Sequence, residues 1–279
     1  MIPAIRLACR AEMRLLTDWA AAEGWNPGLH DAETFFAADP EGFLLADVGE
    51  EPVGCISAVR QGSGHGFIGF YLVRPDWRGK GVGIALWRAG MARLAGRVVG
   101  LDGVVAQQAN YARSGFALAW RNVRFAAVAP APVAGGQGEV VAAGGVPFAE
   151  IAALDANVFP AEREAFLRAW MAAPGHRALA VRGVGGLRGF GVARPCREGT
   201  KLGPLTATDP AAARALFNAL VAGAPAPVFL DLPESNPAAA ALAQEAGMEP
   251  AFETARMYAG PAPVLRQERI YGVASCELG

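Results

Sequence analysis

Apolar positions along the first half of the chain alternate between a helical spacing of three to four and a strand spacing of two. Ile2–Leu7 reads as a short strand. Over Ala11–Glu23 the apolar residues Met13, Leu15, Leu16, Trp19 and Ala20 suit an amphipathic helix, which Gly24-Trp25-Asn26-Pro27-Gly28 stops. Asp31 is placed to cap a second helix running through Phe36. Gly42–Val48 and Pro52–Arg60 read as strands joined by the turn Gly49-Glu50-Glu51, and Gly66–Val73 as a third, rich in aromatic and β-branched residues. A glycine-rich turn then opens the helix Val82–Leu94. Val98–Val105 (strand), Gln107–Ser114 (short helix) and Phe116–Val128 (long strand) follow. Strands separated by a crossover helix imply a mixed sheet with at least one parallel pair.

Residues 129–145 are mostly Ala, Pro, Gly and Val and read as a linker, dividing the chain into 1–130, 131–145 and 146–279. The alternation then resumes. Helices are expected over Ala149–Asn157, Glu162–Ala172, Pro210–Val221 and Pro237–Glu245. Strands are expected over Arg177–Arg182, Leu187–Arg194, Lys201–Ala207, Val228–Leu232 and near Phe252–Tyr258. The segment Gly115–Phe125 parallels Gly247–Met257 without gaps: Gly115 matches Gly247, Trp120 faces Phe252, and Arg124 matches Arg256. With the shared order of elements before each segment, this points to two related halves.

Composition narrows the class. The 279 residues are 53% hydrophobic and 18% charged, enough apolar material for real cores, and the formal net charge of −1 offers no field to recruit nucleic acid or an anionic membrane. Lys80 and Lys201 are the only lysines; the other basic side chains are arginines, as coding bias would give. Cys9, Cys55, Cys196 and Cys276 lie far apart and read as free thiols in a reducing compartment. His30, His65 and His176 are too scattered for a zinc cluster, so no metal is expected. No signal-peptide core and no stretch of ~18 apolar residues is present, and the expectation is a cytoplasmic protein.

Chemistry concentrates in Val73-Arg74-Pro75-Asp76-Trp77-Arg78-Gly79-Lys80-Gly81-Val82-Gly83, which ends a strand and opens a helix. Free N–H groups and the helix dipole favour an anion there, and the missing Cβ atoms of Gly79, Gly81 and Gly83 let phosphate approach the main chain. Arg78 and Lys80 add positive charge. The loop lacks the GK[ST] of a nucleotide P-loop and the spacing of a dinucleotide fingerprint. It resembles the (Arg/Gln)-x-x-Gly-x-(Gly/Ala) signature of the GNAT superfamily of N-acetyltransferases, matched by Arg78, Gly81 and Gly83.

A second motif, Tyr111-Ala112-Arg113-Ser114-Gly115-Phe116, is similar to the Tyr-x-x-x-Gly-Phe of the same family. The resemblance covers nearly the whole chain and implies tandem GNAT-like α/β folds, each a central mixed, mostly antiparallel sheet flanked by helices. It implies acetyl-CoA as donor, with Tyr71, Leu72, Val73, Arg78, Gly79, Lys80, Gly81, Val82 and Gly83 around it. Tyr111 would be the general acid that protonates the leaving thiolate. Main-chain groups near Leu72 and Val73 would hold the pantetheine arm. Many members carry a strand glutamate as base; Phe67-Ile68-Gly69-Phe70-Tyr71-Leu72 has none. Ordered water, a group from the second half or an already neutral amine remain open as alternatives; His65 is a further candidate for the base, and reads more readily as a solvated turn residue.

The matching loop of the second half, Leu202–Asp209, has one glycine, no arginine and an aspartate where phosphate would arrive, so the half 146–279 is expected not to bind CoA. Trp25 and Asn26 border the acceptor site in the implied fold, or form a helix-stop loop with a half-buried anchor. The apolar segment Tyr271–Gly279 is expected to dock, with Glu277 either reaching the cleft as base or amine clamp or lying in a docked surface strand; Asp231 and Glu234 are further candidates. The expected function is acetyl transfer to the primary amine of a small molecule, peptide or protein. The competing reading is an acyl-CoA-binding regulator or scaffold without turnover. No nucleic acid or membrane partner is expected.

Overall fold

The chain builds one run of elements twice. In the computed structural model, which describes residues 3–279, the first run is β1 (Ala4–Leu7), α1 (Met13–Ala22), α2 (Asp31–Ala38), β2 (Phe43–Val48), β3 (Glu51–Gln61), β4 (His65–Val73), α3 (Val82–Arg93), β5 (Val98–Val104), α4 (Gln108–Arg113) and β6 (Phe116–Ala127). The second is β7 (Glu139–Ala142), α5 (Phe148–Asp155), α6 (Glu164–Ala172), β8 (Arg177–Gly183), β9 (Gly186–Pro195), β10 (Thr200–Ala207), α7 (Pro210–Val221), β11 (Val228–Pro233), α8 (Pro237–Glu245) and β12 (Glu249–Ala259). A short β13 (Ile270–Gly272) follows. Ile2, the first residue of the expected opening strand, lies outside the described residues.

The strands join one 13-stranded sheet in the order β1-β2-β3-β4-β5-β12-β6-β11-β10-β9-β8-β7, with β13 beside β10. The order contains an exchange. β12, from the second half, lies against β5 of the first, and β6, from the first half, lies against β11 of the second. Between them β6 and β12 pair antiparallel, with Asn122 opposite Thr254, Trp120 opposite Arg256 and Arg124 opposite Phe252. The repeat seen in the sequence therefore folds about a local twofold axis running between these strands.

The repeated arginines serve the exchange in the same way on both sides of that axis. Arg256 grips Asp102 of β5 through two bonds of 2.7 and 2.6 Å, and Arg124 grips Asp231 of β11 through two of 2.6 and 2.8 Å. Each guanidinium also lies over the aromatic ring across the strand pair, Arg256 over Trp120 and Arg124 over Phe252. Planar, two-point pairing lets a buried guanidinium and carboxylate satisfy one another.

Helices α1, α2, α5 and α6 cover one face of the sheet. There Phe35 stacks on Trp170 at 5.9 Å between ring centres, and Phe43, Phe70, Phe166 and Phe190 are fully buried. Each such ring contributes about 2–3 kcal/mol by leaving water. On the other face α3 covers the first half, and α7 and α8 the second.

Three local expectations are corrected. The stretch read as linker, 131–145, contains β7, an edge strand paired to β8, because Val140 and Val141 continue the sheet. Asp31 does not cap α2; its carboxylate turns inward to accept from Gly28 N (2.7 Å) and from the buried Arg194 (2.6 Å), which needs a counter-charge. His65 is no solvated turn residue: it is 3% exposed, begins β4 and packs edge-on against Phe159. Among the described residues no helix is long and apolar enough to cross a membrane.

Candidate active site

β4 and β5 run parallel and paired only from His65–Ile68 against Val98–Leu101. Beyond that point they part. Gly69–Val73 stays with β3, across a register shift, and Asp102–Val104 stays with β12. At the parting Phe70 takes a left-handed φ of 42°, a conformation that costs a non-glycine residue energy and marks a site the surrounding fold enforces. The result is a wedge between two strand edges that no longer pair with one another.

The loop Val73–Gly83 sits at the mouth of this wedge. Gly79 and Gly81 have φ of 74° and 86°, and a Cβ on either would point into open space. Gly81 precedes α3 and supplies no side-chain cap, so the first N–H groups of that helix are left for an external acceptor. A Cβ on Gly83 would come 2.8 Å from the Tyr71 hydroxyl. The cations are less free than the sequence implies. Arg78 donates to Val73 O at 2.9 Å and pairs with Glu23, while Lys80 Nζ lies 4.9 Å from the centre of the Trp77 ring.

Tyr111, on α4, packs against Gly103 of β5: a Cβ there would collide with its ring. Trp87 of α3 stands between Tyr111 and Tyr71, with ring centres 5.7 and 5.5 Å away. Burial, and then the neighbouring Tyr71, push the Tyr111 phenol up to about 12, so it holds its proton across the neutral range. Burial raises Tyr71 as well. Trp87 and Gly103 were not singled out by sequence; a tryptophan one helical face from the loop and a glycine inside a strand were the available signals.

The second half forms the same wedge and fills it. β10 and β11 pair in parallel only over Thr200–Leu202 and Val228–Leu230. Past that point β13 enters the gap. Gly272 and Ile270 pair with Leu205 and Thr206 of β10, and Val273 N donates to Asp231 O of β11 at 2.8 Å. A Cβ at Gly203 would collide with the carbonyl of Val273. At the mouth, Asp209 caps α7 through Ala212 N (3.0 Å) and pairs with Arg188 (2.7 Å). Although burial opposes it, these partners hold Asp209 below the usual carboxylate range.

On the opposite face the remaining candidates are brought to the seam between the halves. Asn26, with φ of 52°, bonds the main chain of Glu198 twice, at 2.8 and 2.9 Å. The Trp25 carbonyl accepts from the buried Lys201 at 2.9 Å, and the Trp25 ring packs at the edge of the core. The loop 24–28 thus clamps the β9–β10 turn. Glu277 is buried in the docked tail, within electrostatic reach of Lys201, Asp31, Arg194 and Arg124. Burial raises its carboxyl above the ordinary value, and the cations only partly offset this. Glu234 does not join them; it accepts from Arg121 N at 3.0 Å on an exposed edge. Asp231 is held by Arg124, which with Lys201 and Arg194 keeps it at about 2 despite burial. Among the described residues no cluster of His, Cys, Asp or Glu could hold a metal ion.

With this geometry, two family descriptions match the chain: "Acetyltransferase (GNAT) family" over residues 10–116 and "Acetyltransferase (GNAT) domain" over residues 151–272. The chain is similar to the holothin acyltransferase of Pseudoalteromonas sp. (strain SANK 73390), 32% identical over 271 residues, covering 96% of this chain and 92% of that one. A crystal structure of a putative acetyltransferase from Pyrococcus horikoshii superposes with a TM-score of 0.85 at 22% identity, over 99% of this chain and 96% of that one. A tandem GNAT protein from the clavulanic acid biosynthesis pathway does so with 0.64 at 15% identity, over 94% and 100%. The chain belongs to the GNAT family and is a two-domain member of it. It is an acyltransferase.

Proposed function

We propose that the chain transfers the acetyl group of acetyl-CoA to a primary amine, using one donor site, in the half 1–130. The observation that carries this reading is the contrast between the two wedges: that of β4 and β5 has a bare helix N-terminus and left-handed glycines at its mouth, and that of β10 and β11 is filled by β13. The fit of an acyl-CoA rests on those glycines, whose missing Cβ atoms leave the space a phosphate needs.

When bound, acetyl-CoA supplies an activated acyl group on a sulfur that can leave as thiolate. Gly79, Lys80, Gly81, Val82, Gly83 and Arg78 hold the pyrophosphate, Arg78 by exchanging Glu23 for phosphate. Tyr71, Leu72 and Val73 hold the arm, and a main-chain N–H of this strand polarises the carbonyl. Tyr111 gives its phenolic proton to the departing sulfur. Trp25 and Asn26 of the first half and Glu277 of the second border the acceptor where the two halves meet. The half 146–279 contributes to that acceptor wall. Four free cysteines support a cytoplasmic location.

The test follows CoA thiol release over a panel of small amines, peptides and holothin, the compound in the relative's name. Tyr111→Phe should lower kcat about 100-fold with the donor KM unchanged. An equally fast variant at every pH removes Tyr111 from the acid role.

A further inference from the structure

β4 carries no carboxylate, yet the main chain of a glutamate from elsewhere lies against it, and the side chain of that glutamate sits among Lys201, Arg194, Arg124 and Asp31. Residues 275–279 lie across β3 and β4 on the face opposite α3. Gln61 Nε2 donates to Leu278 O at 3.0 Å, Leu278 N donates to Ser275 Oγ at 3.1 Å, and Arg163 donates to Gly279 O at 2.7 Å. These bonds fix the main chain on both sides of Glu277. Its carbonyl sits so close to Gly69 that any Cβ there would collide with it. Gly69 is the residue at which β4 leaves β5, directly after the last paired residue, Ile68, and directly before the strained Phe70.

Glu277 is 6% exposed, and among the described residues its carboxylate has neither a hydrogen-bond donor nor an ion-pair partner. Every other buried carboxylate near it is engaged: Asp31 by Arg194 and Gly28, Asp231 by Arg124, Asp102 by Arg256 and Asn122. The Glu277 oxygens are not among the sealed, unpartnered polar atoms of the core, so the carboxylate keeps contact with solvent while its main chain is fixed.

Resting on the acyl-transfer reading above, we infer that Glu277 takes the proton of the acceptor amine. As the nitrogen lone pair forms the C–N bond and the C–S bond breaks, Glu277 receives the N–H proton and Tyr111 gives its own to sulfur. Solvent then accepts a proton from Glu277 and returns one to Tyr111, so charge and protons balance. The groups facing Glu277 are Lys201 on β10, Arg194 on β9, Arg124 on β6 and Asp31 on α2; Asp231 and Cys276 stand next to these. Lys201 donates to the Trp25 carbonyl, and Asp31 and Asp231 are each held by an arginine, so Glu277 is the carboxylate of the group without such a partner among the described residues.

The experiment is the pH profile of kcat/KM for the full chain with two accepted amines of different basicity. In the wild type an acidic limb should stay at the same pH for both amines, above the ordinary glutamate range, because burial raises Glu277. Glu277→Gln should lower kcat about 100-fold near pH 7 and erase that limb, with CoA affinity and melting temperature held. Glu277→Asp should keep the limb at a reduced rate. A Glu277→Gln variant that keeps the limb, or stays within threefold of wild type, overturns the assignment alone. A wild type that acylates no amine overturns the acyl-transfer reading and the assignment with it.

Discussion

The wedge between β4 and β5 and the wedge between β10 and β11 start from the same geometry and end differently. Both follow a short parallel pairing, both are crossed by a helix on the same face, and both border an exchanged strand gripped by a buried arginine–aspartate pair. In the first, the helix end is bare and a phenol stands on the adjoining strand. In the second, an aspartate caps the helix, the chain's own β13 takes the gap, and the repeat places the buried Ala243 where Tyr111 stands. What the two share is thus the sheet, and what separates them is confined to loops, one short helix and the tail. Architecture and chemistry are carried by different residues.

The largest expected effect tests the shared part. Arg256→Met leaves Asp102 buried without its partner and should cost about 3–5 kcal/mol in urea unfolding, and Arg124→Met should cost a similar amount through Asp231. A loss on one side alone breaks the equivalence of the exchange. Next comes the part that differs. Gly81→Trp should weaken CoA binding roughly 100-fold, about 2.7 kcal/mol, by filling the phosphate space and forcing a left-handed backbone on a bulky residue. The converse change, Asp209→Gly, frees the other helix end but should leave calorimetric stoichiometry at one CoA per chain, because β13 still occupies the gap; a second site there breaks the contrast.

The smallest effect concerns acid stability. Burial, then Arg256, Arg163 and Arg97, push His65 from its ordinary 6.5 down to about 4. Below pH 6.5 the unfolded chain takes up a proton that the folded one refuses. His65 therefore leaves stability intact above pH 6.5 and removes it as pH falls toward 4, by about 2 kcal/mol at pH 5. The second half has the uncharged Thr200 at the corresponding start of its parallel pair. His65→Thr should flatten the slope between pH 6.5 and 4, leaving the part owed to His176, which burial also lowers to about 4. An unchanged slope would show that the first half carries no such penalty.

Local periodicity made most elements legible. The helix Pro237–Glu245 has its expected bounds because Asn236, accepting from Ala238 and Ala239, and Pro237 set its start. β7 escaped notice because its valines sit among Ala, Gly and Pro, where only a partner strand makes them regular. His65, flanked by Gly64 and Gly66, looked like a turn; its burial comes from Phe159, a residue far along the chain. The turn and helix start at Gly79–Val82 were readable since the glycines and the helical pattern are contiguous. The surroundings of Glu277 were not, because they come from α2, β6, β9 and β10. The exchange itself is a long-range pairing, which neither repeat specifies alone.

Because β6 and β12 each complete the other half, a protein of half this length would reach the same arrangement only as a pair of identical copies. Identity would bind them: any residue gained by one cleft would appear in the other, and a tail that closed one would close both. Joining the copies in a single chain lifts that constraint. One half can then close its wedge with the tail, while the tail's last residues reach across onto its neighbour. Covalent linkage permits a division of labour that symmetry forbids.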